Sequence, residues 1–445
     1  MSLIERAIFV AAHEIQRPGF TGMYQSLVKN QWRSREALQH DQNRQLRRMI
    51  SFCYNHVPFY KQRFKENSLT PSDIRTVKDL EKVPPTTKDD LLKNKDSTFP
   101  QGVNVRYYAR TTGGTTGNPL AYRISREDRF LSGALLYRGW SGGGYRLGDR
   151  VLTLAGSSLI EDVKSATKMR LTELTRNIRF ASAFKMSSRN LLKYVNMMNS
   201  WKPSFLRGYP SALYEFARFI EDHDLSIPEV SAILVTSEKL YPEVRETLQR
   251  VFRTRVFDGY GANDGGIGAY EYECGNMHID TERSILEVVD EHDKQVASGE
   301  GHVLATSLVN CAMPVIRYDM GDQVIASDEF CNCGRGSPLL KEVIGRTVSI
   351  LVMPDGSRVH GWFFQHVFWS VGEQVRKYRV VQETKDRIEI DIVPGSDFSE
   401  HTIERIRELV SYTCSNWILN FHIVESIPKT KSGKSIYIES KVKLR

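Results

Sequence analysis

Between residue 103 and about residue 330 the sequence alternates short apolar runs with helical periodicities, and this alternation most restricts the fold. Arg150-Val-Leu-Thr-Leu-Ala155 and Ser231-Ala-Ile-Leu-Val235 read as strands. Tyr209 to Ile220 and Tyr241 to Phe252 read as helices, the latter with Pro242 in its first turn. Strand–helix alternation predicts an α/β architecture with buried, mainly parallel strands. The last hundred or so residues differ. Val348 to Met353 reads as a strand that turns at Pro354-Asp-Gly-Ser357, with a helical stretch around Trp362 to Val371. A hairpin (Tyr378 to Gln382 against Arg387 to Val393), a helix with apolar Ile403, Ile406, Leu409 and Val410, and a strand Asn420 to Val424 follow. This order suits a separate small α+β domain. The expected division is a large domain over 1–345, mainly helical over 1–100, and a small domain over 346–445.

A chain of 445 residues has ample length for such a core. Hydrophobic residues at 40% and charged residues at 26% exclude disordered and collagen-like classes, and no apolar run is long enough to span a bilayer. The N-terminus has an apolar patch, Ala7 to Ala12, but Glu5, Arg6, His13 and Glu14 interrupt it and no export cleavage site follows. Together with only six cysteines, this predicts reducing cytoplasm. The excess of Lys and Arg over Asp and Glu, 61 against 53, gives a net charge of +8 that suits anionic ligands. No zinc-finger, RNP or basic-zipper pattern is present, so nucleic acid is not an expected partner. The amphipathic N-terminus and the arginines at 33, 35, 44, 47 and 48 fit a solvated helical face; contact with an anionic membrane surface stays open, as does a homodimer.

The strongest local signal is Arg110-Thr-Thr-Gly-Gly-Thr-Thr-Gly-Asn-Pro119, between strand-like Asn104 to Tyr108 and Leu120 to Ile124. Glycines that permit close backbone approach, with hydroxyls as added donors, suit a phosphate cradle. Composition alone leaves a surface turn equally open, and the Gly-Lys-Ser/Thr of a Walker A loop is missing. A second constellation is Cys274-Gly-Asn-Met-His278 with Cys331-Asn-Cys333, which could complete one Cys₃His tetrahedron for structural zinc. Two unrelated turns holding reduced thiols, with Gly275 and Gly334 as turn glycines, is the alternative. Cys53, Cys311 and Cys414 have apolar neighbours and read as core.

Five motifs in order carry a family resemblance. Thr112-Gly-Gly-Thr-Thr-Gly-Asn-Pro119 resembles the phosphate loop of the adenylate-forming enzymes, which include acyl-CoA synthetases and peptide-synthetase adenylation domains. Phe257-Asp-Gly-Tyr-Gly-Ala-Asn-Asp264, Ile316-Arg-Tyr-Asp-Met-Gly-Asp322, Ile344-Gly-Arg346 and Ile427-Pro-Lys-Thr-Lys-Ser-Gly-Lys434 are similar to later motifs of that superfamily. Gly208-Tyr-Pro-Ser-Ala-Leu213, the helical start and the length are most similar to the phenylacetate–CoA ligase family, including its capsule-biosynthesis members. Some members of that family have comparable Cys/His placements, which strengthens the zinc expectation.

The resemblance implies a two-step reaction: a carboxylic acid and ATP give acyl-AMP, and an acceptor, in the first reading coenzyme A, then displaces AMP. It places the β- and γ-phosphates in the loop of Thr111, Thr112, Gly113, Gly114, Thr115, Thr116 and Gly117, and Mg²⁺ on Asp264. It places the ribose hydroxyls on Asp322 and nucleotide or acyl contacts on Ser237, Glu238, Asp258, Tyr260 and Gly261. Arg346 would contact the nucleotide near the hinge, and Lys434 would be the catalytic lysine. Three departures matter: Asn118 stands where a loop lysine is common, Asp264 replaces a glutamate, and Thr347-Val348-Ser349 replaces acidic hinge residues. The last puts transfer to coenzyme A in doubt and keeps open transfer to an amine in surface-polysaccharide or secondary metabolism. A catalytically degenerate nucleotide-binding protein is the reading from another class.

Overall fold

The computed structural model describes residues 3–112, 120–155, 166–183, 186–346, 350–355, 358–360, 364, 367–368, 370–413, 416–428 and 436–442. The chain divides into two compact units, Met1–Ile344 and Gly345–Arg445.

The first unit opens with helices Leu3–Gln16, Phe20–Asn30, Arg35–His56 and Pro58–Glu66. Ser34 starts the third by accepting the Ala37 N–H, and Pro58 at the first turn starts the fourth, where its missing N–H costs nothing. Leu46, Met49, Ile50 and Cys53 recur at helical spacing and are buried with Tyr60 and Phe64 against Ile285, Leu308 and Ile316. Burial of each such aliphatic side chain contributes about 1.5–3 kcal/mol. Cys53 is fully buried, while Cys311 is only half-buried and Cys414 lies outside the described residues.

Strands β1 (Tyr107–Thr111) and β2 (Ala121–Ser125) form an antiparallel hairpin with Thr111 opposite Ala121. Among the described residues the central sheet has eleven strands. Its first part, β3 (Val151–Ala155), β4 (Ile178–Ser182), β5 (Phe205–Gly208), β6 (Ala232–Thr236) and β7 (Val256–Ala262), is parallel in the order β4-β3-β5-β6-β7. Helices Ala166–Arg176, Ser188–Trp201, Pro210–Asp222 and Pro242–Phe252 supply the crossovers. The continuous burial of β6 reflects this covering on both faces.

The expectation of mainly parallel strands fails beyond β7. Strands β8 (Ile267–Glu271), β9 (Met277–Ile279), β10 (Ser284–Val289), β11 (Gly299–Ser307), β12 (Tyr318–Ser327) and β13 (Leu339–Arg346) continue the sheet as β7-β8-β9-β13-β12-β11-β10. The pairings β7–β8, β8–β9, β9–β13, β11–β12 and β10–β11 are antiparallel. The physical reason is the length of the connections: the turn 263–266 is too short for a helical crossover and can only reverse the chain.

In the second unit, β14 (Ile350–Val352) and β15 (Arg358–His360) form a hairpin. Strands β16 (Val375–Gln382), β17 (Arg387–Pro394), β18 (Ile418–Ile423) and β19 (Ile438–Ser440) make a sheet ordered β18-β17-β16-β19. The β16–β17 pair is the expected hairpin; β18 and β19 join it in parallel. The helix Glu400–Thr413 contributes Ile406 and Val410 to a core with Phe364, Phe368, Ile390 and Trp417. Phe368 stacks on Tyr378 at 3.8 Å. Gln382, fully buried, donates to the Val352 carbonyl at 2.6 Å and accepts from the Val352 N–H and Ser440 hydroxyl, tying β14, β16 and β19 together. No helix among the described residues is long and apolar enough to cross a membrane.

Candidate functional site

Five of the expected nucleotide residues, Ser237, Glu238, Asp258, Tyr260 and Gly261, lie on or just after the parallel strands β6 and β7, and the carboxyl ends of such strands are where open α/β sheets present ligand crevices. Strand β6 ends at Thr236 and is followed by Ser237, whose φ of 73° is unusual for a residue with a Cβ. Thr236, just before it, donates its hydroxyl to the Gly259 carbonyl at 2.8 Å, pinning the end of β6 to β7. Glu238 accepts the Ser211 N–H at 3.0 Å and thereby caps the helix Pro210–Asp222, an electrostatically favourable place for a carboxylate.

Strand β7 carries Asp258, Tyr260 and Gly261. The Asp258 N–H donates to Glu271 at 3.0 Å, and Glu271 is clamped by both terminal nitrogens of Arg245 at 3.1 and 2.8 Å. Burial and the neighbouring Glu271 carboxylate push the Asp258 carboxyl up to about 7. The Tyr260 hydroxyl donates to Asp322 Oδ2 at 2.9 Å. Asp322 is 8% exposed.

Asp322 reaches this position through a bulge. Leu304 on β11 faces Asp319, while His302 faces Gln323, so β12 has extra residues there. Gly321 takes the left-handed conformation the irregularity needs, with φ of 67°, and its N–H is held by Asp319 at 2.8 Å. Arg317, at the start of this motif, is almost fully buried. It donates to Glu287 at 3.2 Å and to the Val83 and Asp293 carbonyls at 2.9 and 2.6 Å, so it anchors the motif from beneath.

Asp264 lies half-buried on the turn after β7. A Cβ on Gly265 would lie 2.5 Å from the Met320 sulfur and 2.8 Å from Ala305, so only glycine lets this turn pack against β11 and β12. Arg283 reaches Asn263 at 3.4 Å while forming a two-pronged buried ion pair with Asp128 at 2.8 Å. Gly265, Arg283, Asp128 and the Gly321 bulge are supporting residues that sequence reasoning did not single out. The doubled glycine after Asn263-Asp264 is a turn signal that points to the first of them.

Thr111 closes the β1–β2 hairpin, and Thr112 closes the neck of the glycine-rich loop. Its N–H donates to the Leu120 carbonyl at 2.9 Å, and its hydroxyl accepts the Leu120 N–H at 2.9 Å. Gly113, Gly114, Thr115, Thr116 and Gly117 lie outside the described residues, as does Lys434. Arg346 ends β13.

The second expected cluster assembles. Ligand atoms of Cys274, His278, Cys331 and Cys333 all lie within 4.8 Å of one another. Cys274 and Cys331 sulfurs are 3.6 Å apart, and His278 Nε2 is 3.9 Å from Cys274 and 3.4 Å from Cys333. Ligands at zinc–sulfur and zinc–nitrogen bond lengths around a tetrahedral ion lie about 3.5–3.8 Å apart, and these three separations come close to that range. Gly275 and Gly334, with φ of 79° and 85°, turn the two ligand loops toward each other. The other ring nitrogen of His278 pairs with Ser337 at 3.1 Å, orienting the imidazole. Burial and nearby Arg335 hold His278 down to about 4, which keeps the ring neutral as a ligand must be. The cluster joins the loop after β8 to the segment between β12 and β13.

Comparisons place this architecture among known proteins. Residues 351–441 match the family model of the CapK C-terminal domain. Protein CapK of Staphylococcus aureus is 24% identical over 411 residues, 90% of this chain and 89% of that protein. The phenylacetate-coenzyme A ligase of Thermus thermophilus is 24% identical, covering 82% and 83% of the two chains. A 2-hydroxyisobutyryl-CoA ligase solved in its postadenylation state with an acyl-AMP superposes with a TM-score of 0.72 at 19% identity, over 91% of this chain and 89% of that one. The fold is that of the adenylate-forming ligases.

Proposed function

We propose that this chain, a homologue of CapK and of the phenylacetate–CoA ligases, is an ATP-dependent ligase that activates an organic acid as acyl-AMP and passes the acyl group to coenzyme A. The observation that supports this most directly is the Tyr260–Asp322 hydrogen bond, which joins two of the superfamily-like motifs at one place. The names of the relatives supply the acceptor.

In the first step an acid carboxylate oxygen attacks the α-phosphorus of ATP and pyrophosphate leaves. In the second the coenzyme A sulfur attacks the acyl carbon and AMP leaves. Asp322, held by Tyr260, suits the two ribose hydroxyls, because an ionised carboxylate only accepts and has lone pairs to spare. The loop whose neck Thr112 closes has the composition to take the phosphates through its backbone N–H groups, while Ser237 and Gly261 lie at the carboxyl ends of β6 and β7. Lys434 would stabilise charge developing on the α-phosphate and the attacking carboxylate, with Arg346 contacting the nucleotide near the unit boundary. The half-buried carboxylate of Asp264 is the hard oxygen donor that Mg²⁺ takes; a bound Mg²⁺ would offset phosphate charge. Zinc on Cys274, His278, Cys331 and Cys333 would be structural, since four protein ligands leave no open position.

Acid-dependent ATP–pyrophosphate exchange across a panel of carboxylic acids tests the first step, and thioester formation with coenzyme A tests the second. Exchange without thioester, but with amide formation from an offered amine, would replace the coenzyme A part. Absence of exchange with every acid, together with absence of ATP binding, would remove the ligase reading.

A further inference from the structure

The helix Arg126–Ser141 is pinned by buried ion pairs at both ends. In its first turn Asp128, 1% exposed, accepts from Arg283 Nε and Nη2, both at 2.8 Å, although the two residues are 155 apart in sequence. Toward its last turn the buried Arg138 donates to Asp280 and Glu282, both at 2.6 Å. The acid lies at the helix N-terminus and the base near the C-terminus, the order that the helix dipole favours. Their partners Asp280, Glu282 and Arg283 lie together on the segment between β9 and β10, so one short segment grips the helix along its length.

Each side of the Asp128–Arg283 pair continues into one of the motifs. On the Asp128 side, Ser125 is both the last residue of β2 and the cap of the helix: its hydroxyl accepts the Asp128 N–H at 3.3 Å. Its own N–H donates to Asn310 Oδ1 at 2.9 Å, and Asn310 Nδ2 donates to the Arg123 carbonyl at 2.9 Å. The base of the β1–β2 hairpin is thereby fixed, and Thr112 pairs with Leu120 at its other end, at the neck of the glycine-rich loop. On the Arg283 side, Nη1 donates to Asn263 at 3.4 Å, and the neighbouring Ser284 donates its hydroxyl to the Gly265 carbonyl at 2.9 Å. Asp264 lies between these two held residues. A Cβ on Gly266 would stand 2.5 Å from the Ser284 Oγ, so the turn closes on Ser284 without a gap.

We propose that Asp128 and Arg283 are positioning residues that hold the phosphate-loop hairpin and the Asp264 turn in one frame. Both are buried, and they act through Ser125 on one side and through Asn263 and Ser284 on the other. A two-pronged arginine–carboxylate pair has a single arrangement, and losing either partner leaves the other charge buried and uncompensated. The catalytic consequence rests on the ligase reading, in which the loop and the turn must meet the same triphosphate. A misplacement of about 1 Å can then cost about a hundredfold in rate. The joining of hairpin to turn is a property of the fold and stands apart from that reading.

Two measurements on the full chain test this: amide deuterium uptake, and acid-dependent ATP–pyrophosphate exchange. Asp128→Asn keeps the shape of the side chain and removes its charge; it should speed deuterium uptake in the turn 263–266 as well as at the start of its own helix. Arg283→Lys keeps the charge and removes the fork; it should speed uptake at the base of the hairpin, over 121–126. In pyrophosphate exchange both variants should lower kcat by at least about tenfold while the KM for ATP moves by less than about threefold. Leu248→Ala, a truncation in the core beside the parallel strands, controls for lost stability and should leave kcat near wild type. Should both ion-pair variants fail to fold, Ser284→Ala, which removes one hydroxyl, should lower kcat by about threefold with the KM for ATP unchanged. Deuterium uptake that changes only in the substituted residue's own segment would overturn the inference. So would a kcat in the ion-pair variants, or in Ser284→Ala where only that one folds, equal to that of Leu248→Ala. Wild type that exchanges no pyrophosphate with any acid would remove the ligase reading and the catalytic role with it, while deuterium uptake would still decide whether the pair joins hairpin and turn.

Discussion

Tyr260 and Asp322 stand 62 residues apart in sequence, yet the tyrosine hydroxyl donates to the aspartate Oδ2 at 2.9 Å. A carboxylate left only 8% exposed keeps a fixed orientation through this bond. Tyr260→Phe should therefore keep the fold and raise the KM for ATP in acid-dependent pyrophosphate exchange by about tenfold, the size of a hydrogen bond to a charged group. An unchanged KM would mean that Asp322 does not meet the nucleotide.

Lys434 lies beyond Pro428 in the segment that precedes β19. Lys434→Ala should lower pyrophosphate exchange by about a hundredfold or more, the range found when a preorganised charge-stabilising donor is removed. The thermal midpoint should stay put. Exchange at the wild-type rate would take the catalytic role away from this lysine.

Gly265 packs its turn so closely on β12 that an added Cβ would come 2.5 Å from the Met320 sulfur. Gly265→Ala should cost about 1–3 kcal/mol in urea denaturation, as overpacking does. Exchange should fall further than stability, because the same turn carries Asp264. A variant with wild-type stability and exchange would show that the turn has room to give.

The Cys274, His278, Cys331 and Cys333 cluster should hold about one equivalent of zinc in protein never exposed to chelator. Elemental analysis reads this directly. Cys331→Ser should lose most of the metal and lower the thermal midpoint. Protein purified with under about a tenth of an equivalent would contradict a zinc site.

Asp258 yields a pH signature. Its carboxyl titrates near 7 in the folded chain, because of burial and then Glu271, against about 4 when unfolded. The folded state therefore holds a proton that the unfolded state releases. This stability is fully present below about pH 4 and is lost as pH rises toward 7. Asp258→Asn removes the term, so denaturation from pH 4 to 8 should show the variant gaining on wild type through that window. A pH-independent difference between the two would place Asp258 at an ordinary carboxylate value.

The five motifs were legible because each relies on local chemistry. Glycine marks positions needing left-handed backbone, as at Gly321 and Gly275, and short residue strings record that need wherever the chain goes. The parallel strands β3 and β6 were legible for a similar reason, since burial on both faces writes a continuous apolar run. The antiparallel half was not. Strands such as β12 bury alternate residues, and nothing local tells a short reversal from a short crossover. Strand β19 was missed because it is short and gains its place only by pairing with β16.

The sequence by itself determined the fold class, the order of the motifs and the identity of four candidate metal ligands, because periodicity and turn chemistry act between near neighbours. Tertiary structure alone decided that Cys274 and Cys331 would come 3.6 Å apart, that a bulge would turn Asp322 toward Tyr260, and that Glu238 would cap a helix. It also decided which side of the first helix faces outward. Contacts between residues distant in sequence depend on how whole elements pack, and that information resides in the summed burial of the core and not in any one segment.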